Sequence, residues 1–317
     1  MLVMIMIFLA GCWFWPGILG AGPEAPAAPP PAAAATANAA IPPWPYFRMP
    51  AKITLCSEPV PLTDPTVRED LDREFTIVVW SRAQTTMWLK RAHRYFPEIE
   101  RKIRDYRLPA DLKYVVLVES DLRLKARSSA GAQGPWQFMA PTANRFQLRT
   151  TSDIDDRLEF SAATDAALRY LKDLHRLFND WTLALAAYNC GEGRVKKAMA
   201  AQGVSNYYYL SLPSETERYI PRILAAKIII GSPGRYGYNI PPEELYPPLE
   251  YDEVNFFTSK EVPVRTLAAA CGSYYKMIKR LNPWIKGAKL PPGSHTLKIP
   301  KGTGQRFKEA YQRGAFG

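Results

Sequence analysis

The chain has 317 residues, 47% of them hydrophobic, 12% aromatic and 22% charged, a globular composition with room for about two domains. So many aromatic residues exclude wholesale disorder, and the length excludes a single small module. A formal charge of +11 favours an anionic partner such as nucleic acid, lipid head groups or a carboxylate-rich polymer, but net charge speaks to no fold.

Leu2 to Ala10 is an apolar run too short for a bilayer span, which needs about 20 residues. It suits the h-region of an export signal, although no Lys or Arg precedes it. Leu9-Ala10-Gly11-Cys12 resembles the lipobox of bacterial lipoproteins, which implies cleavage before Cys12 and a lipid on that cysteine. By the same resemblance, Trp13 after the cysteine is compatible with outer-membrane sorting. Pro16 to Pro50 is mostly Pro and Ala and reads as a semi-stiff tether with too little apolar surface to fold.

Asp70 to Lys90 carries Leu71, Phe75, Val78 and Val79 at helical spacing, and Pro97 is expected to open a second helix with Ile99, Ile103 and Tyr106 on one face. Pro109 is expected to open a third. There Leu112, Val115, Val116 and Glu119 fall at i, i+3, i+4 and i+7, which places a carboxylate on the stripe that otherwise faces the core. A Glu held against apolar neighbours loses hydration, so its pKa rises toward the range of a general acid. The plain alternative is a helix-end Glu turned to solvent.

Ser120 to Gly134 is rich in Ser, Ala and Gly, a backbone that can approach a ligand closely. Pro141 suits the first position of a short helix through Phe146. Ala163, Ala167, Tyr170, Leu171, Leu174 and Phe178 mark a long amphipathic helix ending near Asn179, and Asp180 caps the next, Trp181 to Asn189, which Gly191 and Gly193 stop. Ser214 and Glu217 have capping-box spacing at the start of a helix with Glu215 in its first turn, where Pro221 should make a kink. Cys56, Cys190 and Cys271 allow at most one bridge once Cys12 is set aside. With His93, His175 and His295 scattered, no metal site is expected. No Walker loop or strand-linked GxGxxG is present, so no nucleotide cofactor is expected.

Glu119-Ser120, Ser128 to Gly131, Gly134-Pro135-Trp136-Gln137-Phe138-Met139, Ala187-Tyr188-Asn189-Cys190-Gly191 and Glu215-Thr216 to Tyr219 together resemble the catalytic domain of the family 1 lytic transglycosylases. The resemblance implies a mainly α, goose-type lysozyme-like fold. It also implies cleavage of the bond between N-acetylmuramic acid and N-acetylglucosamine in peptidoglycan, with formation of 1,6-anhydro ends. Glu119 matches the catalytic Glu. Ser128 would bond near the muramyl sugar, Gln137 and Met139 would line the cleft, and Tyr188, Asn189, Glu215 and Tyr219 would brace acid and substrate. Pro135, Cys190 and Glu192 depart from the family pattern. Trp136 and Trp181 are assigned no sugar-binding role, because aromatic residues at helical spacing are more often core.

After Pro241-Pro242 and Pro247-Pro248, Tyr251 to Phe257 alternates like a strand. Leu267 to Cys271 and Tyr274 to Leu281 read as short helices, and Leu297 to Pro300 as a closing strand. This small α+β order resembles a degenerate LysM module, for which glycan binding and a packing role both stay open. The expected organisation is signal and lipobox at 1–12, linker at 13–50, helical segment at 51–108, catalytic domain at 109–245 and LysM-like module at 250–312.

The leading expectation is a lytic transglycosylase without cofactor or metal, tethered by its lipid to the periplasmic face of a Gram-negative outer membrane and acting on peptidoglycan strands. A hydrolytic muramidase on the same fold and a non-catalytic wall-binding protein are the alternatives. Nucleic-acid binding rests on charge alone and is set aside.

Overall fold

Side-chain caps and left-handed turns set many of the helix boundaries in the computed structural model, which describes residues 45–316. The expected signal, Cys12 and most of the Pro/Ala-rich stretch lie outside the described residues. A small antiparallel pair, β1 (Thr54–Leu55) and β2 (Glu58–Pro59), precedes α1 (Pro65–Trp80) and α2 (Arg82–Asp105). A 3-10 turn, Ala110–Tyr114, leads into α3 (Val115–Ser120), followed by α4 (Ala140–Arg145), α5 (Phe160–Phe178), α6 (Trp181–Cys190) and α7 (Glu192–Gln202). α8 (Ser214–Glu217) and α9 (Tyr219–Gly231) complete the helical part.

Asp64 Oδ1 starts α1 by accepting from the amides of Thr66 (2.8 Å) and Val67 (3.3 Å). Asp180 starts α6 in the same way through the Leu183 amide (2.8 Å), directly after Asn179 ends α5 at φ 50°. The residues of α6 from Trp181 to Ala187 are all buried, as are most of α9, which makes these the central helices of the core. α1 packs on α9, α5 on α6, and α3 on α9.

Five local expectations are corrected. The helix expected over 70–90 is broken at Ser81, whose hydroxyl donates to Ile77 O (2.6 Å), and α2 then runs straight through Pro97. Pro97 removes the donor for the His93 carbonyl, but both residues lie on the exposed face. Gly193 lies inside α7 rather than stopping a helix. The Ser214–Glu217 capping box does not form: these residues are themselves the four-residue α8, and Glu217 Oε1 accepts from the Leu212 amide (2.9 Å) instead. The interruption assigned to Pro221 falls at Arg218. The Glu217 carbonyl that Pro221 leaves without a donor is met by the Tyr207 hydroxyl at 2.7 Å.

The C-terminal unit follows as β3 (Tyr251–Thr258), β4 (Val262–Pro263), α10 (Val264–Ala270), α11 (Tyr275–Leu281), β5 (Lys289–Leu290), β6 (Gly293–Pro300) and α12 (Gly304–Gln312). β3 and β6 pair antiparallel, with Val254 opposite Leu297 and Phe256 opposite His295. Both strands run longer than expected from their apolar residues, and the sequence reading missed α12 altogether. The core of this unit takes in Ile154 from the helical part, and from Tyr46 onward the chain forms one compact unit.

Among the described residues, no helix is long and apolar enough to cross a membrane, and no group of three His, Cys, Asp or Glu could hold a metal ion. Cys56, Cys190 and Cys271 are free thiols.

Candidate active site

α3 begins with residues that have no exposure at all, Val115 to Leu117, and delivers Glu119 one residue before its end. Asp121 (φ 55°) and Leu122 (φ 57°) then turn the chain sharply away. Asp121 has the local side-chain chemistry to tolerate that conformation, and Trp88 Nε1 (2.6 Å) and Gln84 Nε2 (2.9 Å) donate to its carboxylate. The helix end therefore leaves Glu119 at the floor of a cleft of about 560 Å³.

All eight residues expected at the site line this one cleft: Glu119, Ser128, Gln137, Met139, Tyr188, Asn189, Glu215 and Tyr219. They come from six separate stretches of chain. The Tyr219 hydroxyl, from the start of α9, donates to Glu119 Oε1. Tyr188, from α6, donates to Trp136 O (2.8 Å) and packs edge-on to Phe138. Asn189 Oδ1 accepts from Thr216 Oγ1 (2.7 Å), joining α6 to α8. Ser128 Oγ accepts from the Ala132 amide (3.0 Å). Gln137, at φ 49°, uses its amide nitrogen on Gly134 O (2.8 Å) and Ala126 O (3.2 Å), so it braces the loop with one end and offers its oxygen with the other. Met139 is exposed at the rim.

Burial pushes the Glu119 carboxyl up to about 7, and the negative charge of Glu215 adds to the rise against the hydrogen bond from Tyr219, which favours the charged form. Burial, together with the Glu119 charge, also raises the Tyr188 and Tyr219 hydroxyls well above their ordinary value, so both stay protonated donors at neutral pH. A carboxyl that is part protonated near neutrality, with one oxygen held by a fixed donor, can deliver a proton and take one back.

The three carboxylates considered for a second catalytic group differ. Asp121 is occupied by α2 and does not line the cleft. Glu192 lines it, but a bond from its own backbone, helped by Arg145 (3.2 Å) and the Tyr170 hydroxyl (3.0 Å), holds its carboxyl below the usual range against its burial. Glu215 lines the cleft and is exposed. Its expected place in the first turn of a long helix is replaced by the short α8, whose dipole is correspondingly small.

The structure adds Tyr170 and Arg222 to the cleft. Tyr170 reads from sequence as one more member of the α5 core stripe, and only its ring contacts with Tyr188 (5.3 Å) and Phe138 (6.4 Å) place it in the aromatic wall. Arg222 lies three residues after Tyr219, a same-face helical spacing legible in the sequence. Its guanidinium is held by the buried Glu74 at 3.0 Å. Trp136 and Trp181 are both buried and lie outside the cleft. Trp136 donates to Thr164 Oγ1 (2.9 Å), and Trp181 stacks on His175.

Residues 97–210 match the transglycosylase SLT domain. The chain is 32% identical over 230 residues to membrane-bound lytic murein transglycosylase D of Escherichia coli (strain K12), a match covering 71% of this chain and 50% of that one. It is 36% identical over 116 residues to a putative tributyltin chloride resistance protein of Alteromonas sp. (strain M-1), covering 36% and 56% of the two chains. The chain thus spans about half the length of these relatives. Among solved structures, the 70 kDa soluble lytic transglycosylase of Escherichia coli matches at 21% identity and a TM-score of 0.39, over 57% of this chain and 32% of that one.

Proposed function

Because the chain carries a transglycosylase SLT domain, we propose that it is a peptidoglycan lytic transglycosylase with Glu119 as its single general acid and base. The observation that carries this reading is a carboxyl pushed up to about 7 at the floor of a cleft, with Oε1 held by Tyr219. Oε2 then carries the proton toward the glycosidic oxygen. As that bond breaks, the N-acetyl group of the muramyl sugar supports the developing positive charge in place of a second protein carboxylate, as in substrate-assisted glycosidases. Glu119, now charged, takes the proton of the muramyl C6 hydroxyl, whose oxygen attacks C1 and closes the anhydro ring. Atoms balance without water. Asn189, Tyr188 and Tyr219 hold the acid and the walls. Ser128, Gln137 and Met139 face the sugar, and Glu215 sustains the raised pKa of Glu119.

A second reading has one observation in its favour: Glu215 is an exposed carboxylate in the same cleft, placed to activate water in a hydrolytic muramidase. Digestion of purified sacculi by the full chain, read by mass spectrometry, separates the two. Anhydro products, each lighter by one water than the reducing-end product, support the transglycosylase, and reducing ends support the muramidase. Binding without release identifies a wall-binding protein, and wild-type activity in Glu119→Gln would end the assignment of Glu119.

We also place the protein in the bacterial cell envelope, at the periplasmic face of the outer membrane through a lipid on Cys12, with peptidoglycan strands as its partner. The +11 charge suits a polymer whose peptides carry carboxylates. A Cys12→Ser variant appearing in the soluble periplasmic fraction is the expected result, and unchanged membrane sedimentation would rule the lipid out.

A further inference from the structure

The cleft wall from Ser128 to Met139 contains no regular element. It is held by the isolated bridges Arg127–Gln133 and Gln133–Phe138 and turns at Gly131 (φ 90°), Gly134 (φ 85°) and Gln137 (φ 49°). A backbone without a ladder keeps one shape only where outside partners meet its polar groups. Besides the Tyr188 hydroxyl on Trp136 O, one side chain supplies several of them. Arg157 donates to Gly131 O (3.3 Å), Phe138 O (3.0 Å) and Gln133 Oε1 (3.0 Å), so a single planar guanidinium ties together both limbs of the wall. A Cβ on Gly134 would lie 1.9 Å from Arg157 O, which shows how closely the wall rests on the same residue's backbone.

Arg157 is 7% exposed, and its charge is matched by Asp155 through two bonds of 2.8 Å. That pair is gripped from the other side by the C-terminal unit. The Asp155 amide donates to Trp284 O (2.9 Å) and the Lys286 amide to Asp153 O (2.8 Å). Lys298 pairs with Glu159 (2.6 Å), and Ile154 bridges to Ile285 inside the C-terminal core. Residues 153–159 are therefore shared between the cleft wall and the C-terminal unit.

We infer that the C-terminal unit braces the glycan-facing wall, and that Arg157 is the positioning residue through which it acts. The effect on turnover rests on the proposed transglycosylase reading; the brace does not. If residues 153–159 shift, Arg157 must leave acceptors that no other described side chain meets, or leave Asp155 as a buried, unpaired charge.

The test is amide hydrogen exchange on the full chain without substrate, followed by steady-state kinetics on peptidoglycan. Arg157→Lys keeps a charge beside Asp155 but cannot reach three acceptors, and Ile285→Ala thins the contact with Ile154. Arg157→Lys should speed exchange over residues 131–139 by roughly tenfold or more, the loss of a charge-assisted bond, and Ile285→Ala should speed it over the same residues, while α5 keeps its wild-type rates. KM should rise, and the pH midpoint of turnover should stay in place. The brace is refuted if Ile285→Ala alters exchange only beyond residue 250, or if Arg157→Lys leaves 131–139 as protected as before. Should Arg157→Lys fail to fold, Ile285→Ala and Lys298→Met decide on the same readout. Exchange as expected in a protein that releases no product keeps the brace and removes the enzymatic reading.

Discussion

Replacing Glu119 by Gln should stabilise the protein at neutral pH and do almost nothing at pH 4. The wild-type carboxyl titrates at about 7 in the folded chain against an ordinary 4.5. Its folded pKa is raised, so the unfolded chain gives up the proton first and stability falls as pH climbs between those values. Summing over that window, the penalty grows from almost nothing at pH 4 to about 3 kcal/mol at pH 7, then levels off. Glutamine can still accept from Tyr219 and never ionises, so the variant escapes the penalty. The difference in melting temperature between variant and wild type should therefore widen by about 6–12 °C from pH 4 to pH 8, taking about 2–4 °C per kcal/mol for a domain of this size. Any effect of the substitution that does not depend on pH cancels in that comparison. Thermal melts followed by circular dichroism across the pH range are sufficient. A gap that stays constant would mean that Glu119 titrates like an ordinary surface carboxyl, and the shielded-acid mechanism would fail with it.

Turnover should fall as pH rises through about 7, because Glu119 must start protonated; Tyr219→Phe removes the bond that favours the charged form, so the midpoint of a pH–rate profile should move upward. Glu74 behaves in the opposite sense: bonds from Arg218 and Arg222 outweigh its burial and hold the carboxyl below its ordinary value. Its stabilisation is complete above the ordinary 4.5 and lost as pH falls through the lowered value. Glu74→Gln should cost about 1–3 kcal/mol at pH 7, the usual loss for a broken buried pair reduced for the part-exposed arginines, and should flatten the acid limb of a stability–pH curve. Gly134→Ala should be strongly destabilising in urea melts, since its Cβ meets Arg157 O at 1.9 Å and φ is 85°. Gly193→Ala, with open space around its Cβ and a helical backbone, should stabilise by about 0.5–1 kcal/mol.

Features whose causes are local were readable in advance. Asn179 and Asp180 are legible as helix boundaries in the sequence, because a left-handed cap and an N-cap depend on the few residues beside them. The boundary errors have local origins too. Pro97 reads as a helix start because its ring clashes inside a helix, yet on an exposed face the lost bond is tolerated. Gly193 reads as a stop because glycine weakens helices, though by only about 1 kcal/mol relative to Ala. The capping-box spacing of Ser214 and Glu217 says nothing of Leu212, whose amide took the carboxylate instead.

Glu119 stood out from order along the chain alone: a carboxylate seven residues after Leu112 on an otherwise apolar stripe has few reasons to be there. Its acidity had a different source. The hydroxyl that holds it lies a hundred residues away, Glu215 acts from another helix, and the aromatic wall of Phe138, Tyr170 and Tyr188 joins three distant segments. Periodicity reports which side of a helix is apolar, but desolvation and charge coupling depend on distances through space, and packing sets those distances. The same holds for Arg157, a residue of the short 3-10 turn Asp156–Leu158 that has the cleft wall on one side of it and the C-terminal unit on the other.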